Sequence, residues 1–224
     1  MATTKSERAY WELRRAVVTG ELAEGTILEE HDLLERLGVG RTPLREAMKR
    51  LAHDEFVIWY PHHSATVRTT TIAELTQLYE ARHIFEIPAA RIAAERVTPS
   101  ELETLDDLCD SFDEAVQAGD TYAVAERDYD IHLAIAKASH NRFLIDAVAH
   151  LNCGSLRLWF HSYRRLGTER INDDHRRAVN ALRLHDAETA ATVGREHIEF
   201  SHQRQLKLHG LAHLAEHHQL QGSA

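Results

Sequence analysis

Cysteine is scarce. Only Cys109 and Cys153 occur among 224 residues, too few for a disulfide framework and without the CxxC spacing of a redox or metal motif. Each reads as a small apolar residue at a helix interface. No apolar stretch is long enough to span a membrane. The opening MATTKSERAYWELRR lacks the apolar core of a signal peptide and reads as the start of an amphipathic helix, so the expected location is the cytoplasm. Positive charge is also short: 26 Lys and Arg face 35 Asp and Glu, for a net charge of −9. That balance argues against a surface uniformly coated for nucleic acid. What remains, 43% hydrophobic and 27% charged, is an ordinary globular composition with length for one or two domains.

The charge is unevenly placed. Residues 1–70 hold 10 basic and 11 acidic side chains, so the deficit lies further on. Within 36–50, Arg36, Arg41, Arg45, Lys49 and Arg50 oppose only Glu46. A compact basic patch can bind phosphates even on an acidic protein.

Hydrophobic periodicity places this patch. Tyr10, Leu13 and Val17 recur at helical spacing, with Gly20 as a stop. Leu33, Leu34 and Leu37 mark a second helix closed by Gly38. In GVGRTPLREAMKRL, Thr42 reads as the N-cap and Pro43 as the first helical residue. Leu44, Ala47, Met48 and Leu51 form the apolar stripe of this third helix, and Arg45 and Lys49 face away from it. FVIWY and ATVRTT, separated by the turn-like PHHS, read as a β-hairpin. Three helices and a hairpin make a winged helix–turn–helix, ending near the threonines at 69–71.

From Ile72 onward the strand pattern never returns. Breaks at Thr98-Pro99, Gly119-Asp120, Ser139-His140-Asn141, Gly167-Thr168 and His185-Asp186 divide the rest into six helices. The polar stretch beyond about 210 is expected to fray. The domain boundaries expected are 1–70 for a winged helix and 71–224 for an all-helical second domain.

The run LLERLGVGRTPLREAMKRLAHDEFV resembles the signature of the GntR family of bacterial transcription regulators. The second half resembles the FCD ligand-binding domain of its FadR subfamily. The residues that carry this are YEARHIFE with AARIAAE (79–95), ERDYDIHLAIAKASHN (126–141), DDHRRAVNAL (173–182) and GREHI (194–198). Six helices suit the shorter, VanR-like members. The implied fold is mainly α, an N-terminal winged helix–turn–helix followed by an all-α antiparallel helical bundle. There are departures from the family pattern. Gly40 stands where Ser is usual, Glu55 where Gly is usual, and the wing reads PHHSA, with His63 and Ser64 in place of an Arg and a turn Gly.

Long donors suit a recognition helix because base edges in the major groove accept hydrogen bonds, and arginine reads guanine bidentately. By the resemblance, Arg41, Thr42 and Arg45 are the main contacts to double-stranded operator DNA, with Arg36 and Lys49 on phosphates. The bland alternative is a solvated charged helix face.

The chain has 17 histidines, so a single one means little. His213 and His217, four apart in the terminal stretch, could trap metal in vitro without function. Four other residues stand apart. Asp128 and His132 lie one turn apart on one helix face, accompanied by Ile131 and Ile135. His175 shares a stripe with Ala178, Val179 and Leu182, and His197 with Val193 and Phe200. Three helices thus aim one carboxylate and three imidazoles at an apolar interior, where uncompensated polar groups are costly. That donor set suits zinc first, then nickel, iron or manganese, and matches the Asp/His/His/His set of metal-containing FCD domains. A closed thiolate site is unsupported. Arg82 follows Leu75 and Leu78 on an inward stripe and needs an acceptor, either a ligand carboxylate or Glu86 one turn away.

These features point to a homodimeric repressor that binds a palindromic operator and senses a small organic acid. The rivals are a metal-dependent enzyme built on the bundle and an interaction module with a degenerate DNA domain. No dedicated nucleophile or base motif supports the enzyme.

Overall fold

The computed structural model describes residues 4–60 and 64–210. The chain divides into two compact units near residue 75.

In the first unit, α1 (Lys5–Val18) opens with a capping box. The Thr4 side chain accepts from the Glu7 N–H, and Glu7 accepts from the Thr4 N–H. Its inner face buries Tyr10, Leu13 and Val17. α2 (Glu30–Leu37) ends at Gly38 with φ 59°, a left-handed conformation that glycine adopts without a Cβ clash. α3 (Arg41–His53) packs on α1 and α2 through Leu44, Ala47, Met48 and Leu51.

The start of α3 corrects the sequence reading. Its N-cap is Gly40, in extended conformation, and not Thr42. Pro43 therefore lies inside the first turn, where none of the N–H groups has an intrahelical partner. A proline there tolerates either start.

The hairpin of β2 (Val57–Ile58) and β3 (Ala65–Val67) is present. A third strand, β1 (Ile27–Leu28), joins it in the order β1-β3-β2, all antiparallel, with Leu28 opposite Ala65 and Val57 opposite Val67. Two residues are too few to show an alternating pattern, so sequence periodicity cannot reveal β1. The hairpin tip, including His63, lies outside the described residues. The Ser64 hydroxyl donates to the Glu29 carboxylate at 3.1 Å.

In the remainder, among the described residues, six helices follow: α4 (Ile72–Arg96), α5 (Pro99–Gln117), α6 (Thr121–Ala138), α7 (Arg142–Leu166), α8 (Ile171–Arg183) and α9 (Ala187–Leu208). Every expected break falls between two of them. The local causes are plain. Thr98 caps α5 with Glu101 in a capping box and Pro99 at its start, and Asp120, Asn141 and Asp186 cap α6, α7 and α9. α6 packs on α5 and α7, and α8 on α5 and α9.

Most buried polar groups in this helical unit are satisfied. The Tyr79 and Ser201 hydroxyls share a hydrogen bond of 2.7 Å, and Gln205 Nε2 donates to the Leu158 carbonyl at 3.0 Å. His213 and His217 lie outside the described residues.

Candidate metal centre and nucleic-acid interface

Among the described residues, the largest concentration of unsatisfied buried atoms is one cluster; Asn152 of α7 is a separate case. α6 contributes Asp128 and His132, α8 contributes His175 and α9 contributes His197. One donor atom from each lies within 4.8 Å of all the others. His132 Nε2 and His197 Nε2 face each other at 3.2 Å, and His175 Nε2 stands 3.2 Å from Asp128 Oδ1. All four residues are buried. Both Asp128 oxygens, both His175 nitrogens and His197 Nδ1 nevertheless make no hydrogen bond of acceptable geometry, and the His175–Asp128 approach is a charge contact only. Buried polar atoms are nearly always partnered, so these atoms point to a group they were built to hold.

The protonation states agree with a cation. Burial, reinforced by His175 and His132, pushes His197 well below the ordinary imidazole range and keeps it neutral. Burial works against ionisation of Asp128, but His175 and His132 overcome it and hold the carboxyl below its ordinary value. Neutral imidazole and ionised carboxylate are the forms that ligate borderline divalent metals. The residues therefore fit such an ion.

The surrounding groups orient the cluster. Glu86 of α4 sits 2.7 Å from His132 Nδ1, which leaves Nε2 for the centre. A carboxylate behind a ligating histidine is a common orienting partner. Burial opposes the charge on Glu86, yet Arg82 and then His132 hold it well below the carboxylate range. Arg82 Nε and Nη2 reach Glu86 at 2.5 and 3.3 Å. The Trp159 ring stacks on His132 with centroids 5.2 Å apart.

Asp174 carries a second buried carboxylate, 3.9 Å from His197 Nδ1 and held by Arg170 and Arg177 at 3.0 and 2.9 Å. Glu86 was singled out in the sequence only as a possible partner for Arg82, Asp174 stood only inside the run DDHRRAVNAL with no role of its own, and Trp159 was not singled out. Asp174 had one available signal: it falls one turn after Arg170 and three residues before Arg177.

His132, His175 and His197 also line a cavity of about 40 Å³. Its wall is largely small and apolar, with Ala89, Ala90, Ala178, Ala190 and Gly194. Glu86 and Asp174 line it too, and Arg82 does not.

The basic patch on α3 is built differently. Arg41, Thr42, Arg45 and Lys49 all lie on its exposed face. Arg41 and Arg45, with side chains 80% and 46% exposed, share one acid: Glu30 Oε1 lies 3.6 Å from Arg41 and Oε2 3.2 Å from Arg45. Arg36 pairs with Glu21 at 2.7 Å. Arg50 turns away, with its guanidinium 3.7 Å from the centre of the Tyr10 ring. Gly40 offers no capping side chain, which leaves the first N–H groups of α3 open to an anion.

The architecture defines a winged helix–turn–helix protein with an all-helical second domain. Residues 5–67 match the bacterial regulatory proteins of the gntR family, and residues 77–200 match the FCD domain. The chain belongs to the gntR family of bacterial regulators and carries an FCD domain.

Among curated relatives, the transcriptional regulator McbR of Escherichia coli K12 is 28% identical over 62% of this chain and 63% of its own length. The Nta operon transcriptional regulator of Aminobacter aminovorans is 31% identical over 57% and 60%. These matches span less than two thirds of either relative. The E. coli K12 repressor RspR is 23% identical over 87% and 86%. Among solved structures, E. coli McbR/YncC superposes with a TM-score of 0.78 at 22% identity, over 93% of this chain and all of that one. A GntR regulator from Rhodococcus follows at 0.72 and 24%, over 90% and 97%. Family and relatives are those of regulators, which removes the ground for the enzyme reading.

Proposed function

We propose that this protein is a transcription regulator that binds operator DNA through α3 and senses a small organic acid at a divalent metal held by Asp128, His132, His175 and His197. The observation that carries the sensing half is the buried donor cluster with its orphaned polar atoms. When bound, the metal supplies a Lewis-acidic point for an anionic ligand. Around it, Glu86 orients His132, Arg82 neutralises Glu86, and the wall beside the histidines is largely small and apolar. Arg82, expected to meet the effector carboxylate itself, is proposed to act on the site through Glu86, with which it pairs.

On the DNA side, residues 1–70 form the binding domain, with Arg41, Thr42 and Arg45 at base edges and Arg36 and Lys49 on phosphates. Residues 71–224 hold the effector and form the homodimer, because two recognition helices then meet two half-sites of a palindrome. Repression is the outcome proposed, in keeping with the repressor RspR as a relative. Zinc is the first candidate for the metal, ahead of nickel, iron or manganese.

A gel shift with DNA from around the protein's own gene tests the first half. A sequence-specific shift that an acid effector weakens is the expected result. The absence of any specific shift would leave an interaction module with a degenerate DNA domain. Metal analysis of protein purified without nickel resin tests the second half.

A further inference from the structure

We propose that the cavity beside the metal centre selects short monocarboxylates with an apolar tail over dicarboxylates and polyhydroxylated acids. This rests on the reading that the centre binds an acid effector, and narrows that reading to one chemical class.

Charge comes first. Glu86 is matched by Arg82 at 2.5 Å, and Asp174 together with Glu196 by Arg170 and Arg177, with Asp174 at 3.0 and 2.9 Å from the two arginines and Glu196 at 3.1 Å from Arg177. The histidine ligands coordinate as neutral imidazoles. A divalent ion facing Asp128 then leaves one positive charge uncompensated, enough for one ligand carboxylate. The charged side chains that line the cavity are both acids, Glu86 and Asp174. A second carboxylate would be buried without a partner and beside like charge, a costly arrangement.

Polarity comes next. Away from the histidines and the two acids, the wall is alanine, glycine, valine and isoleucine: Ala89, Ala178, Ala190, Gly194, Val193 and Ile135 among them. Such side chains offer no hydrogen bond to a hydroxyl on the tail, and an unpaired buried hydroxyl opposes binding. Methylenes suit this surface.

Size sets the last limit. A cavity of about 40 Å³ holds about three waters at roughly 10–15 Å³ each. A tail of a few carbons replaces them, and a long chain does not fit without movement of the wall.

Three acids of four carbons separate these terms: butyrate, succinate and 3,4-dihydroxybutyrate. In calorimetry on the full-length, metal-loaded protein, butyrate is expected to bind at least tenfold more tightly than either of the others. Succinate or the dihydroxy acid binding as tightly as butyrate would overturn the proposal and leave the acid-effector reading intact. Failure of all three acids to bind would overturn both.

A variant locates the site. A Cβ at Gly194 would meet Ala90 Cβ at 3.9 Å, ordinary contact, so the helix packing accepts a methyl there. Gly194→Val is expected to lower butyrate affinity at least tenfold with unchanged metal content by mass spectrometry, and Gly194→Ala to lower it less. Unaltered butyrate binding in Gly194→Val would place the ligand elsewhere.

Discussion

The helical interior and the face of α3 both gather charge, and they do so under opposite rules. In the interior, Asp128, His132, His175 and His197 are buried with several donor atoms unpartnered. On α3, Arg41 and Arg45 are exposed and lean on Glu30. Burying unmatched polar atoms costs free energy, so a cluster of this kind implies a partner. Exposed ion pairs contribute little, about 0–1 kcal/mol, so Glu30 can release its arginines to DNA at small cost. The interior therefore points to its chemistry through strain, and the surface through availability.

The largest effect expected lies in the interior. Arg82→Met leaves the Glu86 carboxylate buried opposite a neutral side chain, and breaking a buried pair this way costs about 3–5 kcal/mol. Urea unfolding of metal-free protein measures it, with the double variant Arg82→Met, Glu86→Leu expected to recover much of the loss. A loss below 1 kcal/mol in the single variant would show that Glu86 relies on other partners and weaken the contrast with the surface.

Next in size is the metal itself. Loss of an outer orienting partner typically costs 10–100-fold in metal affinity, so His175→Ala, which removes a ligand, should exceed about 100-fold. Operator binding without effector should remain. Protons compete for the same nitrogens: histidines must be neutral to ligate, so metal retention should fall as the pH is lowered below the ordinary histidine value near 6.5. His197, pushed well below that value by burial and its two neighbours, should keep its nitrogen free for the metal at lower pH than an ordinary imidazole would. Metal retention in dialysis between about pH 5 and pH 7.5 checks the direction. Retention that rises on acidification would exclude histidine ligation.

On the surface the expected effects are smaller and depend on salt. Arg45→Ala should cost about 1–3 kcal/mol of specific binding and blur preference at one base position. Lys49→Ala should weaken binding alike on all sequences and flatten the salt dependence. Fluorescence anisotropy at several salt concentrations separates the two. An Arg45→Ala variant with full operator affinity would move sequence reading away from this face of α3.

The two regions also differed in how legible they were. The capping boxes, the breaks between helices and the i,i+4 pair of Asp128 and His132 are local patterns, and the sequence displays them. The gathering of α6, α8 and α9 donors followed from inward stripes alone, since each histidine shares a face with apolar neighbours. Glu86 behind His132 was not legible as an orienting residue, because its partner is 46 positions away and its own spacing points equally to Arg82. Trp159 looked like any core aromatic. β1 gains its identity from pairing with β3, and two residues carry no period. The start of α3 was misjudged because Thr42 suits a cap by type, whereas Gly40 takes that place by backbone conformation.

The smallest effect expected tests a departure from the family pattern at the end of the recognition helix. Phe56 N–H donates to the Leu51 carbonyl at 2.9 Å and Glu55 N–H to Ala52 at 3.3 Å, the paired bonds of a Schellman C-cap. Glu55 occupies its left-handed position at φ 64°, which costs a residue with a Cβ about 1–2 kcal/mol relative to ordinary conformations. Glycine relieves that strain, at the expense of a more flexible unfolded chain. It also gives up the Arg68 contact at 2.9 Å between half-exposed side chains, worth under about 1 kcal/mol. The balance favours glycine slightly. Glu55→Gly is expected to stabilise the DNA-binding unit by about 0.5 kcal/mol in thermal unfolding, with DNA affinity unchanged because the site is opposite in sequence to the reading end of α3. A destabilised variant would show that the Arg68 pair outweighs the backbone strain, and that Glu55 stands in the glycine position for its charge.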